Sequence, residues 1–226
     1  MLDIDFFKKI IAELKNTLVN LTFYFQGEPY LNPKFLDMVK HASDNGIFTI
    51  TSTNAHYLND ENAKKTIESK LDKLIISVDG TTQETYEQYR IGGDLEKVIE
   101  GTKNMVKWRK QLKSKRPLIV FQFLVVKPNE HQINDVYKLA AELGVDDVKL
   151  KTAQVYDFEN GNSLIPDNEN YSRYKKNASG KWSIKNKLLN QCRRMWSGCV
   201  ITWDGLIVPC CFDKDASHQF GDLKRQ

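Results

Sequence analysis

The first 191 residues contain no cysteine, and all four cysteines of the 226-residue chain fall between positions 192 and 211. A disulfide framework would spread its cysteines along the fold. Crowding of this kind indicates a metal centre in a reducing compartment, and hence a cytoplasmic location. Long apolar runs are also missing: no stretch approaches the roughly 18 residues of a membrane span. No basic region followed by an apolar run opens the chain, so no signal peptide is expected there. A concentrated basic stripe is lacking too. The net charge of +4 is spread along the chain, and Lys8, Lys9, Lys64, Lys65, Lys175 and Lys176 sit among acidic residues. A nucleic-acid groove would need those charges gathered on one face. Neither nucleic acid nor membrane is therefore expected as a partner, whereas an anionic small molecule stays open.

What remains is ordinary globular composition, with 41% hydrophobic and 27% charged residues, enough to bury a core. Helix and strand signals alternate. Residues 5–18 place Phe6, Phe7, Ile10, Ile11, Leu14 and Leu18 at helical spacing. Leu21-Thr22-Phe23-Tyr24-Phe25 reads as a strand. Pro33 opens a helix that stops at Asn45-Gly46. Further strands are expected at 48–53, 73–78, 118–126 and 148–152. Helices are expected at 60–69, 83–89, 95–112 and 131–143. Apolar strands alternating with amphipathic helices imply a parallel sheet with helices outside. Residues 160–190 are polar and read as a linker around a short helix or hairpin. The expected domains are 1–155, a linker over 156–191, and a cysteine module over 192–226.

In a parallel α/β barrel the chemistry gathers at the C-terminal strand ends. Those ends carry Gln26-Gly27-Glu28-Pro29, Thr53-Asn54, Ser77-Val78-Asp79-Gly80, Val125-Val126 and Lys149 to Thr152. Each has a plain alternative: Asp79-Gly80 is also turn chemistry, Asn54 a loop cap, and Gly27 with Pro29 a sharp bend. Together they favour a binding rim.

Gln26-Gly27-Glu28-Pro29-Tyr30-Leu31-Asn32-Pro33 after a strand resembles the GGEP motif of the radical S-adenosylmethionine (SAM) family, with Gln26 in place of the first glycine. Thr53-Asn54-Ala55, Ser77-Val78-Asp79-Gly80 and Tyr89-Arg90-Ile91-Gly92-Gly93 follow in the family's order, and the resemblance covers roughly residues 1–155. It implies a partial (β/α)6 parallel barrel lacking its first strand. It also implies reductive cleavage of SAM to a 5′-deoxyadenosyl radical that abstracts a substrate hydrogen. The substrate would be a peptide or a small molecule, and a reductant protein would be a partner. By position, backbone groups at Gln26, Gly27 and Glu28 would receive the amino group of SAM, and Pro29 and Asn54 would share that cofactor-binding rim. Ser77 and Asp79 would bind its ribose hydroxyls or carboxylate, Arg90 would pair with the carboxylate, and Val125 and Val126 would flank the adenine. The family's 4Fe–4S ligands, a CxxxCxxC loop, are expected upstream of Leu2. The chain therefore reads as a fragment that is inactive alone.

Twelve residues separate Cys192 from Gly205 and four separate Gly205 from Cys210. This spacing resembles the opening of a SPASM module, which binds auxiliary Fe–S clusters, and the chain would hold its N-terminal part. Asp204-Gly205 is good hairpin-turn chemistry. Cys192 and Cys210 are the expected ligands, with Cys211 and Cys199 as alternates. Cys199 also reads as a buried structural cysteine, and His218 as a surface residue. Two other readings stay open: a zinc-stabilised interaction domain, although the spacing does not match paired CxxC knuckles, and a non-catalytic α/β binding protein.

Overall fold

The computed structural model describes residues 1–186, 189, 191, 192 and 194–225. Three positions of the expected linker (Lys187, Leu188, Asn190) and two of the expected cysteine module (Arg193, Gln226) lie outside the described residues.

The expected alternation is present: helix α1 (Ile4–Leu14), strand β1 (Asn20–Thr22), α2 (Phe35–Asp44), β2 (Phe48–Thr53), α3 (Asp60–Glu68), β3 (Lys73–Ser77), α4 (Gln83–Tyr89), α5 (Leu95–Gln111), β4 (Leu118–Val125), α6 (Ile133–Leu143) and β5 (Asp147–Thr152). The five strands form one sheet in the order β1-β2-β3-β4-β5, and every pair is parallel. Side chains alternate across it. Leu74, Ile76 and Val78 face the helices with Ile119, Phe121, Phe123 and Val125, all at most 1% exposed. Each such side chain contributes roughly 1.5–3 kcal/mol by leaving water. The opposite face carries Ser52, Ile75, Gln122, Leu124, Lys149 and Lys151, none of them fully buried.

Side-chain caps start the helices. The Asp3 carboxylate accepts from the N–H groups of Asp5 and Phe6. Asn59, Thr82 and Asp94 cap α3, α4 and α5 in the same way. Each cap contributes about 1 kcal/mol. α1 stops at Leu14 rather than Leu18, and the Thr17 N–H makes a tighter i→i−3 bond to the Leu14 carbonyl there. Asn16-Thr17 is a poor pair for prolonging a helix. β1 is shorter than the β-rich run predicts. Phe23 still donates to Ile50 O at 2.7 Å, and the chain then turns toward Gly27, whose φ is +79°. Among the described residues β1 pairs with β2 alone, so its outer edge is open.

After the sheet comes an antiparallel hairpin, β6 (Tyr174–Lys176) with β7 (Trp182–Ile184). The polar segment therefore holds the hairpin that was one of its two expected forms. The cysteine segment carries α7 (Arg194–Ser197), β8 (Val200–Ile201), β9 (Leu206–Val208) and β10 (Gly221–Asp222). β9 is the middle strand of this small antiparallel sheet.

Candidate SAM-binding rim and cysteine segment

The C-terminal ends of β1 and β2 are tied together by one carboxylate. Glu28 Oε1 accepts from the Thr53 hydroxyl at 2.9 Å and from Tyr30 N at 3.2 Å. Its Oε2 accepts from Asn54 N at 2.8 Å. Both oxygens are thus engaged by the fold, and Glu28 works as a clamp. Asn54 turns its side chain back to its own loop and accepts from His56 N at 3.0 Å. Gln26 and Gly27 are exposed on the same rim.

A second cluster ties β3 to β4. Asp79 is 1% exposed. One oxygen accepts from Leu124 N at 2.8 Å and the other from Arg90 Nε at 2.6 Å. Each Asp79 oxygen is thus already engaged inside the fold, and the carboxylate holds Arg90. Burial raises the Asp79 carboxyl above its ordinary value, and Arg90 and the Leu124 N–H only partly offset this. No bond to the two terminal amino groups of Arg90 is present among the described residues. The Ser77 hydroxyl is likewise unbonded among them, in a side chain that is nearly buried. Tyr86, from α4, packs beside this turn. A Cβ on Gly80 would sit 2.6 Å from Tyr86 N, so only glycine lets the two backbones approach. The Tyr86 hydroxyl is fully buried without a partner.

The residue missed from sequence is Asn129. It is fully buried. Its Nδ2 donates to the carbonyls of Asp79 and Leu124, both at 2.9 Å, and its Oδ1 accepts from Val126 N at 2.8 Å. Lys-Pro-Asn after a strand reads as turn chemistry, and nothing local marks its amide as the clasp between two strand ends. Val125 and Val126 are both fully buried. Val125 packs into the main core cluster.

The four thiols are free; Cys192, Cys199 and Cys211 are exposed and Cys210 is half-buried. Cys199 is therefore not the buried structural cysteine that was one reading of it. The hairpin turn forms as expected. Gly205 has φ +95°, and the Thr202 hydroxyl accepts from Leu206 N at 3.0 Å. His218 is exposed, with its backbone N–H on the Asp213 carboxylate. Among the described residues no three His, Cys, Asp or Glu side chains are gathered for a metal ion.

A family model described as the radical SAM superfamily matches residues 1–140. The chain belongs to the radical SAM superfamily. A second model, an iron-sulfur cluster-binding domain of the SPASM type, matches residues 192–226. Among curated proteins, the tungsten-containing aldehyde ferredoxin oxidoreductase cofactor-modifying protein of Pyrococcus furiosus is 29% identical, over 92% of this chain and 62% of its own length. The PqqA peptide cyclase of Bradyrhizobium diazoefficiens is 27% identical, over 72% of this chain and 42% of its own. Streptococcus suis SuiB, solved bound to its precursor peptide SuiA, shares the fold with a TM-score of 0.69 at 12% identity. That match covers 98% of this chain and 56% of SuiB. The chain thus spans less than two thirds of the length of these relatives.

Radical SAM and SPASM proteins bind SAM and 4Fe–4S clusters, and SuiB has also been solved with SAM. The rim of this radical SAM chain fits SAM in its donor set. It offers an open guanidinium edge and an unbonded serine hydroxyl. Among the described residues no three metal-ligating side chains are gathered, so no step is derived through a cluster. No helix among the described residues is long and apolar enough to cross a membrane.

Proposed function

We propose that this chain is the SAM-binding part of a cytoplasmic radical SAM/SPASM enzyme that acts on a peptide. The observation that carries the reading is Arg90, held on the rim with its two terminal amino groups unbonded. A guanidinium edge matches a carboxylate with two parallel hydrogen bonds. Arg90 would take the carboxylate of SAM, Ser77 a ribose hydroxyl, and the backbone from Gln26 to Pro29, beside Asn54, the amino group. Glu28 and Asn129 keep these strand ends in register. When bound with a reduced cluster, SAM supplies the radical that abstracts a substrate hydrogen. A peptide substrate is favoured because PqqA peptide cyclase is named for a peptide and SuiB was solved with one. In the complete protein Cys192 and Cys210, with Cys211 or Cys199, would hold auxiliary iron. Residues 1–226 contain no cysteine before Cys192, so the chain alone would not cleave SAM reductively.

The test uses full-length protein prepared without oxygen. SAM should bind in equilibrium dialysis, and Arg90→Gln should weaken it about tenfold or more. Cys192→Ala and Cys210→Ala should each lower the iron count. Failure of the cluster-loaded protein to bind SAM, or zinc in place of iron, would sink the proposal.

A further inference from the structure

A guanidinium has two edges that can meet an acceptor pair: Nε with one terminal nitrogen, or the two terminal nitrogens together. In this chain Asp79 occupies the Nε side at 2.6 Å. That leaves the end-on edge, whose two N–H groups run parallel. The Arg90 side chain is 34% exposed while that of Asp79 is 1% exposed, so the pair is dry on one side and open on the other. The backbone fixes the base of the same side chain. Arg90 N donates to Tyr86 O at 2.8 Å and Gly93 N donates to Arg90 O at 2.7 Å. The Tyr89 ring lies 5.7 Å from the guanidinium carbon. Arg90 cannot swing away without leaving a buried carboxylate unpaired, which is strongly unfavourable.

We propose that Asp79 is a positioning residue: it fixes the Arg90 guanidinium from behind so that the end-on edge is presented, already oriented, to the carboxylate of SAM. This rests on the reading that SAM binds at the rim. Orientation set before binding removes the ordering cost that a free arginine would meet on contact. Asp79 itself touches no ligand. Its second oxygen, on Leu124 N, ties the orientation of Arg90 to the end of β4. The effect of Asp79 is therefore confined to the part of the ligand that Arg90 meets, and the nucleoside part is indifferent to it.

That confinement is testable. Binding of SAM and of methylthioadenosine, the same nucleoside without the amino-acid moiety, is measured on anaerobically prepared full-length protein by equilibrium dialysis. The variants are Asp79→Asn, Arg90→Gln and the double. Asp79→Asn has one acceptor for two donors, so its NH2 is set against either Arg90 Nε–H or Leu124 N–H. It also removes the charge that holds Arg90, and should weaken SAM about tenfold. Methylthioadenosine should change by less than about twofold under the same confinement. The double variant should be no weaker for SAM than Arg90→Gln alone, because Asp79 acts only through Arg90. It also leaves no lone buried charge, and so reports on folding. Should Asp79→Asn fail to fold, Asp79→Glu keeps the charge but displaces the guanidinium, and should likewise weaken SAM alone. Equal losses for both ligands, additive losses in the double variant, or an unchanged SAM affinity would each overturn the positioning role. Wild-type protein that binds methylthioadenosine but not SAM would overturn the SAM reading itself, and the positioning role with it.

Discussion

Two buried side chains decide how rigid the rim is. Asn129 satisfies three backbone groups from two strand ends with one amide. Asn129→Ala leaves the Val126 N–H and two carbonyls buried without a partner. Since each orphaned group costs about 1–3 kcal/mol, a loss of roughly 2–4 kcal/mol in urea unfolding is expected; a loss under about 0.5 would contradict the clasp. Asp79 carries the pH dependence. Its carboxyl sits above the ordinary aspartate value because burial outweighs the partial compensation from Arg90 and Leu124. Arg90, Tyr86 and Tyr89 are the titratable groups around it. Protonation removes its charge, so SAM affinity should fall as pH drops through that raised value, at a higher pH than an ordinary aspartate would give. Asp79→Asn should flatten that limb of the profile. The effect on stability has the opposite sign. The folded chain holds this proton more tightly than the unfolded one, so this group's contribution declines as pH rises through the same window.

At the scale of elements, β1 offers a direct check of its open edge. Val19 O and Phe23 N bond to β2, so in this parallel ladder the odd-numbered residues face β2 and Asn20 and Thr22 face outward. In residues 1–226, Leu21→Pro should therefore cost about 3 kcal/mol or more, and Thr22→Pro far less. Equal costs in thermal melts would mean that the outer edge is occupied. The strands and helices could be read from sequence because their signals are local: Leu118 to Val125 is a continuous β-forming run, and Gly144 stops α6 at φ +76°. The rim could be read only as a set of positions. The tie of Asp79 to Arg90, eleven residues on, is made by the tertiary fold. The Asn129 clasp joins residues fifty apart, beyond any sequence period.

At the scale of the whole molecule, the cysteine segment leans on the first helix. A Cβ at Gly205 would lie 3.2 Å from the Phe6 ring, and the Lys224 ammonium sits 5.9 Å from the centre of that ring. Phe6→Ala should therefore loosen the hairpin turn while leaving the five-stranded sheet intact. Faster alkylation of Cys210, with an unchanged unfolding transition of the sheet, is the expected result. A lowered sheet transition with unchanged alkylation would show that Phe6 serves α1 alone.

The confinement of every thiol to positions 192–211 makes that measurement clean. Any sulfhydryl reagent, fluorophore or spin label attached to wild-type residues 1–226 reports on the small antiparallel sheet and its approaches, while the parallel sheet stays spectroscopically silent. The four native tryptophans are placed differently: Trp108 lies in α5, whereas Trp182, Trp196 and Trp203 follow the sheet. With Trp182, Trp196 and Trp203 replaced by phenylalanine, energy transfer from Trp108 to a dye on the cysteine segment would gauge the separation of the two parts without introducing a single new cysteine.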